Sequence, residues 1–333
     1  MEAFSAQSPN AREARPPQRV TVTATARLHF GFLDPSGRGK RPFGSFGLSL
    51  DRPSTRLVLE RSDALSVTGP EHERAERYVK AIAASCGAQA NFALHLTEAI
   101  PSHAGLGSGT QLALAVGSAF AALKGLKLSP QDIARRLQRG ARSGIGIFTF
   151  EQGGAVLDSG PGPGGAVPEL VSRLPFPPGW RVLLIFDGTA SGLAGASEAA
   201  AFDRLPDFPE GETAELRRRI ADIALPALAA CEFPTFCEQV GYLQAVMGRY
   251  FASLQGGPYT SAAVGDVLQW LGGIGLSGIG QSSWGPTGFA FVPSEPEGEA
   301  LLREARSRSS CEGLSFELAQ GWNQGAKLET TVV

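Results

Sequence analysis

The sequence lacks several features that mark specialised classes of protein. Only 19% of its 333 residues are charged and the formal net charge is -2, so it has no excess of basic residues for binding nucleic acid. No apolar run approaches the roughly 20 residues of a transmembrane helix. The first residues also lack the apolar core of a secretory signal. We therefore expect a globular protein of the cytoplasm.

Cysteine is scarce as well. The chain has four, Cys86, Cys231, Cys237 and Cys311, and none belongs to a CxxC pair. No histidine lies near any of them at the spacing of a zinc site, so neither a disulfide framework nor a structural zinc is indicated. Since 43% of the residues are hydrophobic, we expect reduced thiols and a fold stabilised by an apolar core.

What the chain does contain is an alternation of strand-like and helix-like segments separated by glycine. We predict an α+β fold with a disordered tail at 1–18, an N-terminal domain at 19–165 and a C-terminal domain at 175–333. The segment 55–69 indicates a pair of strands with a turn at Ser62–Asp63. Further strands are expected at 20–34, 91–100 and 180–188, and helices at 71–87, 110–126, 129–140, 214–230, 233–252 and 297–310.

A glycine-rich loop, "GLGSGT", lies between a predicted strand and a predicted helix. Backbone N–H groups at a helix start attract anions, and Gly105, Gly107 and Gly109 allow close approach, while Ser108 and Thr110 add hydroxyl donors. The Walker lysine is absent, and Thr110 stands where a dinucleotide fingerprint has its third glycine. The loop therefore indicates an anion site, although a tight turn before a buried helix is the alternative.

The stretch "PSHAGLGSGTQLALAVG" resembles the phosphate-binding motif of the GHMP kinase superfamily, and "GIGQSSWGPTGFAF" resembles that superfamily's C-terminal glycine loop. The match fails at Gly109 and Thr110, where the kinases usually carry Ser and Ala. The resemblance implies a two-lobed fold, with an N-terminal half like ribosomal protein S5 and a ferredoxin-like C-terminal half. The residues that it implies bind phosphate or substrate are Pro101, Gly105, Leu106, Gly107, Ser108, Gly109, Thr110, Ser143, Gly144, Gln281, Ser282, Ser283 and Gly285.

The run "RSGIGIFTFEQGG" separates this chain from ordinary GHMP kinases. Ser143 and Gly144 fit the kinase pattern, but its aspartate position is Gly146, which has no side chain to take a proton. Together with "ARLHFGFLD", the three runs resemble the β-ribofuranosylaminobenzene 5'-phosphate synthase family. This resemblance implies that phosphoribosyl pyrophosphate condenses with 4-aminobenzoate or 4-hydroxybenzoate, releasing CO2 and pyrophosphate, in biosynthesis of tetrahydromethanopterin-type cofactors.

That chemistry needs residues for an aromatic acid and for the phosphates. The candidate catalytic residues are Arg27, His29, Arg142 and His103. Arg27 and His29 share one strand face and are candidates to contact the acid, as is Arg142, whereas His103 is a candidate donor to a phosphate oxygen. Partial exposure of the strand, a solvent-facing helix end and a solvated loop are the respective alternatives. Trp284 could stack on the aromatic ring or fill the core.

Mg2+ is the cofactor that the resemblance implies, because it normally bridges pyrophosphate oxygens. Ser108 and Asp187 are its candidate ligands, although an aspartate at a strand end also caps turns. The expected partners are small molecules, with no nucleic acid and no membrane, and the resemblance implies a homodimer. The remaining alternatives are a GHMP small-molecule kinase that uses ATP and a non-catalytic ligand-binding protein of the same fold.

Overall fold

The computed structural model describes residues 17–36, 43–162, 165–192, 196–308, 311 and 313–331. Most of the predicted disordered tail, residues 1–16, lies outside them. Strands and helices are mixed along the chain, which confirms the α+β prediction. In the described residues, no helix is both long and apolar enough to cross a membrane.

A seven-stranded sheet organises the first part of the chain. Its first strand buries every second side chain, and Val20, Val22, Ala24 and Ala26 are fully buried, as the sequence alternation predicts. The strand order is β11-β1-β2-β4-β3, with β5 paired to β2 and β6 paired to β5. These strands are β1 (Arg19–Asp34), β2 (Phe43–Arg61), β3 (Ser66–Thr68), β4 (Phe92–Glu98), β5 (Ala155–Asp158), β6 (Leu170–Leu174) and β11 (Lys327–Thr331).

Four helices cover one face of this sheet. The second of them is buried almost all round and packs against β1 and β2, as its small apolar residues indicate. The third begins with a capping box, in which Ser129 and Asp132 each accept a backbone N–H of the other. The helices are α1 (His72–Ser85), α2 (Ser108–Lys124), α3 (Pro130–Arg136) and α4 (Ile145–Gln152).

The second half contains a four-stranded antiparallel sheet of order β10-β7-β9-β8. Two helices, α9 and α10, pack on one of its faces, and the long helix α8 contacts both β8 and β1. The elements are β7 (Arg181–Asp187), α5 (Ala196–Asp203), α6 (Glu210–Arg218), a π-helical segment (Arg219–Ala224), α7 (Leu225–Ala229), α8 (Phe233–Gln255), α9 (Ala262–Gly273), β8 (Ile279–Gln281), β9 (Gly288–Val292), α10 (Glu295–Ser307) and β10 (Leu314–Ala319).

Two features differ from the sequence-based expectation. The predicted strand pair at 55–69 is not a hairpin, because β3 pairs in parallel with β4 rather than with β2. The last strand, β11, returns to the first sheet, where Leu328 pairs with Val22 of β1. Nothing local in a short strand specifies such a distant partner.

One hydrophobic core joins the two halves. Phe30 and Phe46 from the first sheet and Phe289 and Phe291 from the second lie in the same buried cluster, together with Phe236 of α8. Their rings are in contact, with centroids 5.2 Å apart for Phe30 and Phe46 and 5.6 Å apart for Phe30 and Phe291. The region between the two sheets is therefore packed core, and the glycine-rich loops lie at its border.

Candidate active site

The two glycine-rich loops, 101–107 and 281–285, meet backbone to backbone. A Cβ atom on Gly105 would lie 2.2 Å from the carbonyl oxygen of Ser282, and one on Gly285 would lie 2.2 Å from the nitrogen of Gly105. Ser282 Oγ donates a hydrogen bond to the Gly105 oxygen at 2.8 Å. Glycine is thus required here for the contact between the loops as well as for any approach of a ligand.

Helix α2 begins directly after the first loop. Gly107 is its N-cap with φ of 83°, so the N–H groups of the first turn are presented at the helix start. A Cβ atom on Gly109 would lie 3.8 Å from the hydroxyl of Tyr78 and 3.9 Å from guanidinium nitrogens of Arg74 and Arg139. The helix start therefore faces cationic side chains across a short gap, which is the geometry of an anion site.

A cavity of about 450 Å³ lies over this helix start, and we call it the anion cavity. Its lining carries four arginines and no carboxylate. A phosphate or pyrophosphate would therefore meet guanidinium groups, hydroxyls and backbone N–H groups together. The lining residues are Arg27, Arg74, Arg77, Tyr78, His103, Gly105, Gly107, Ser108, Gly109, Thr110, Arg139, Ser283, Trp284 and Gly285.

Two of the arginines, Arg74 and Arg139, are held in place by neighbouring side chains. Arg74 Nε lies 3.2 Å from a carboxylate oxygen of Glu71, which neutralises part of its charge. Arg139 donates to the hydroxyl of Tyr78 and lies over that ring, with 5.2 Å from its Cζ atom to the ring centroid. Its buried Nε has no hydrogen-bond partner in the described residues. Together these contacts fix two guanidinium groups at the cavity wall.

The sequence analysis missed Arg74, Arg77 and Arg139. The first two lie on α1 and the third follows α3, and both helices have the polar faces of ordinary surface helices. The available signal was weak: Arg74 and Tyr78 are four residues apart and share one side of α1. Only the tertiary packing of α1 beside α2 brings them over the glycine loop.

Arg27 and His29 lie where the strand alternation predicts, on the face of β1 toward the two glycine-rich loops. Arg27 lines the anion cavity and donates to the Gly105 carbonyl oxygen. His29 is only 3% exposed, and its backbone N–H donates to Ser282 Oγ at 3.0 Å. Burial, followed by the charge of Arg27, lowers the pKa of His29 to about 3, so its imidazole is neutral at physiological pH.

The ring of His29 lines a second, smaller cavity of about 30 Å³, which we call the His29 cavity. Neither ring nitrogen of His29 has a hydrogen-bond partner in the described residues, and the same holds for Nε1 of Trp284. Ser283 and Trp284 line both cavities, so the two adjoin. The other lining residues are Phe30, Gly31, Phe32, Gln244, Met247, Gly248, Phe251, Gln255, Pro258 and Gln281.

Three other predicted residues, His103, Gln281 and Ser282, lie in the two loops and have different roles. His103 is exposed, has φ of 58° and lines the anion cavity. Gln281 lines the His29 cavity, but its side-chain oxygen accepts the N–H of Thr260 at 2.6 Å, so it also holds the loop. Ser282 is fully buried and ties the two loops together. Of these three, His103 alone lines the cavity expected to receive phosphate.

Arg142, Ser143 and Gly144 lie apart from the anion cavity. The Ser143 hydroxyl and the Gly144 N–H both donate to Asp158, at 3.2 and 2.7 Å. Arg142 lies over the ring of Phe202, with 4.5 Å from its Cζ atom to the ring centroid. The two predicted donors therefore serve a buried carboxylate at the start of α4, and the resemblance gave no sign of that carboxylate.

Pro101, Leu106 and Asp187 also lie outside the anion cavity. Leu106 is core, 1% exposed, whereas Pro101 and Asp187 line a separate cavity on the other side of the loop. Asp187 accepts hydrogen bonds from the Thr189 hydroxyl at 2.6 Å and the Ser261 hydroxyl at 2.7 Å, as a turn-capping aspartate does. Ser108 and Asp187 therefore do not form one site. The described residues also contain no cluster of three His, Cys, Asp or Glu side chains that could hold a metal.

Comparison with known families and proteins agrees with the fold described above. Residues 73–154 match the model of the GHMP kinases N terminal domain. The homoserine kinase of Cytophaga hutchinsonii superposes with a TM-score of 0.65 at 17% identity, covering 98% of this chain and all of that one. The mevalonate diphosphate decarboxylase of Enterococcus faecalis superposes with a TM-score of 0.65 at 16% identity, covering 94% of this chain and 99% of that one. The protein therefore has the GHMP kinase fold, as the motifs predict.

Within this fold class, the curated relatives give a narrower resemblance. The beta-ribofuranosylphenol 5'-phosphate synthase of Archaeoglobus fulgidus is 29% identical over 93% of this chain and 99% of its own length. The protein of the same name from Methanothermobacter thermautotrophicus is 26% identical over 83% of this chain and 90% of its own length. The resemblance to this group of synthases, predicted from four short runs, is thus confirmed along most of the chain.

Proposed function

We propose that the protein transfers the 5-phosphoribosyl group of phosphoribosyl pyrophosphate to the ring carbon that bears the carboxylate of a 4-hydroxy- or 4-aminobenzoate. The observation that carries the proposal is the pair of adjoining cavities. One is lined by arginines, and the other is small and bordered by aromatic side chains. The synthase relatives point to the same reaction, since their name describes a ribosylated phenol phosphate.

The reaction balances without any protein group that adds a proton to the reacting ring carbon or removes one from it. That carbon forms a bond to C1 of the ribose, and the C1–O bond breaks, so pyrophosphate leaves with the electron pair. The ring then carries positive charge, which the para hydroxyl or amino group shares. The bond to the carboxylate breaks next, its electrons restore the aromatic ring and CO2 leaves. Arginines around the departing pyrophosphate stabilise the charge that develops on it.

The absence of a kinase aspartate fits this scheme. Gly146, fully buried in α4, occupies its place in the motif, and a Cβ atom there would lie 3.0 Å from the methyl carbon of Thr110. Thr110 thus fills space beside the backbone at Gly146. Decarboxylation needs no proton abstracted from the ring carbon, so a site without that carboxylate is compatible with the proposed reaction.

Magnesium remains part of the proposal, but the residues present do not form a protein cage for it. The anion cavity has no carboxylate in its lining, and Asp187 lies in another cavity. We propose that any magnesium arrives on the pyrophosphate oxygens, and that the arginines supply most of the positive charge. Calorimetric titration of the free protein with Mg2+ tests this, and tight binding of Mg2+ in the absence of phosphoribosyl pyrophosphate and pyrophosphate would contradict it.

One assay tests the function. The purified protein is mixed with Mg2+, phosphoribosyl pyrophosphate and either aromatic acid carrying a labelled carboxyl group. We expect labelled CO2 and pyrophosphate in equal amounts. ATP consumption with an alcohol acceptor and no CO2 would instead indicate a kinase, and binding without turnover would indicate a ligand-binding protein. We also propose a cytoplasmic homodimer acting in synthesis of a tetrahydromethanopterin-type cofactor, with the dimer tested by light scattering.

A further inference from the structure

The His29 cavity is lined by two side chains whose polar atoms the fold itself does not use. His29 and Trp284 are each 3% exposed, yet both imidazole nitrogens and the indole N–H lack a hydrogen-bond partner in the described residues. Leaving a buried polar group unpaired costs roughly 1–3 kcal/mol. Two such side chains lining one cavity indicate that a ligand group forms hydrogen bonds with them there.

The size of this cavity limits that group. About 30 Å³ accommodates one water-sized group but not an aromatic ring, since a water needs roughly 10–15 Å³ measured in this way. A ring would therefore remain at the border with the larger anion cavity, where Ser283 and Trp284 line both spaces. Only a substituent of the ring would enter the His29 cavity.

The proposed reaction fixes which substituent this is. The carbon that bears the carboxylate must meet C1 of the ribose in the anion cavity, so the para position lies at the opposite end of the ring. We propose that His29 and Trp284 recognise the para substituent of the acceptor and favour a hydroxyl over an amino group. This inference rests on the proposed function and adds a specificity-determining role for two residues.

The preference for a hydroxyl follows from the donors and acceptors present. A neutral imidazole has one N–H donor and one accepting nitrogen, and the indole offers a donor alone. A hydroxyl donates to the imidazole nitrogen and accepts from the indole N–H. An aromatic amino group also donates to the imidazole, but its lone pair is shared with the ring and accepts poorly, so the indole N–H stays unpaired. The burial that keeps His29 neutral preserves its accepting nitrogen.

Trp284→Phe is the sharpest test, because it removes the N–H and keeps an aromatic ring. We expect kcat/KM for 4-hydroxybenzoate to fall about tenfold, the value of one hydrogen bond, while kcat/KM for 4-aminobenzoate changes less than twofold. His29→Phe should lower both, since its nitrogen accepts from either substituent. Trp270→Phe is the matched control, because Trp270 lies on α9 under Arg308 and lines neither cavity.

Calorimetric binding of the two acids, in the presence of pyrophosphate, gives a readout independent of turnover. If no variant or wild type turns over, but Trp284→Phe weakens binding of the hydroxy acid alone, the recognition stands and the proposed reaction fails. If the protein turns over and Trp284→Phe lowers both acids equally, the reaction stands and the recognition is overturned. Absence of both turnover and binding in the wild type would overturn both.

Discussion

Individual arginines, rather than the glycine loop alone, give the site its charge. The loop presents N–H groups, whose contribution at a helix start is roughly half a charge. Arg27, Arg74, Arg77 and Arg139 add full charges around the same cavity. Hydrogen bonds to charged partners are worth roughly 1.5–3 kcal/mol each, so these side chains should dominate the affinity for a polyanion.

Replacement of Arg139 tests this at one position. Arg139→Ala should raise KM for phosphoribosyl pyrophosphate about 10- to 100-fold, because a cavity guanidinium is lost, and leave KM for the aromatic acid nearly unchanged. Arg135→Ala is the control, since Arg135 is an exposed residue of α3 that pairs with Asp132. Steady-state kinetics with each substrate varied in turn measure the two KM values. Equal changes of KM in the two variants would refute the role of Arg139.

A second residue-scale prediction concerns the contact between the loops. Gly105 has φ of 80° and no room for a Cβ atom, whereas Gly125, at the end of α2, has φ of 67° and open space. Gly125→Ala should cost only the backbone strain, about 1 kcal/mol. Gly105→Ala should destabilise the protein by several times as much and weaken pyrophosphate binding. Urea unfolding and calorimetry measure the two effects, and similar losses of stability would contradict the packing argument.

At the scale of elements, Asp158 links the end of β5 to the start of α4 and to β2. Its carboxylate accepts the N–H groups of Ser45, Gly144 and Gly160, at 3.1, 2.7 and 2.8 Å. Burial is the largest influence on the group and raises its pKa from 3.8 to about 6, although the hydrogen bonds oppose the shift. The residue that precedes helix α4 is thus held by a carboxylate that is costly to ionise.

The raised pKa of Asp158 makes the folded protein less stable as the pH rises. A carboxyl whose pKa is higher in the folded state favours folding below pH 3.8 and loses that contribution as the pH rises through 6. Relative to Asp158→Asn, the wild type should therefore lose roughly 2 kcal/mol of unfolding free energy between pH 4 and pH 7. Relative to Asp132→Asn, the wild type should instead gain unfolding free energy as the pH rises, because hydrogen bonds from Ser129 lower the pKa of that exposed carboxyl. Urea titrations at several pH values test both.

How far the sequence predicts the structure also depends on the scale of the interaction. Alternation placed Arg27 and His29 on one face, and the glycine loop was found because its signal is local. Arg74 and Arg139 could not be assigned, since their role depends on α1 and α3 packing beside α2. Asp158 was likewise missed, because its partner Ser45 lies 113 residues away in sequence and Gly144 lies across the whole of helix α4.

For the whole molecule, the shared core predicts a single cooperative unfolding transition. Phe30 and Phe291, from different sheets, are in ring contact, and β11 pairs with β1 across nearly the full length of the chain. Neither half should keep its structure alone. Calorimetry and circular dichroism should give coincident transitions, and a fragment ending at residue 165 should lack cooperative unfolding. Two separate transitions would show that the halves are independent.

The contact between Gly105 and Gly285 also determines how much of the molecule is stabilised when a ligand binds. Because the anion cavity has walls from both halves, a molecule with detached halves has no complete binding site. Binding free energy is then added to the stability of the entire chain, by about 2.7 kcal/mol at a ligand concentration 100 times Kd. Protection by pyrophosphate in a thermal melt or a protease digest should therefore extend to residues in both sheets, including those far from the cavity.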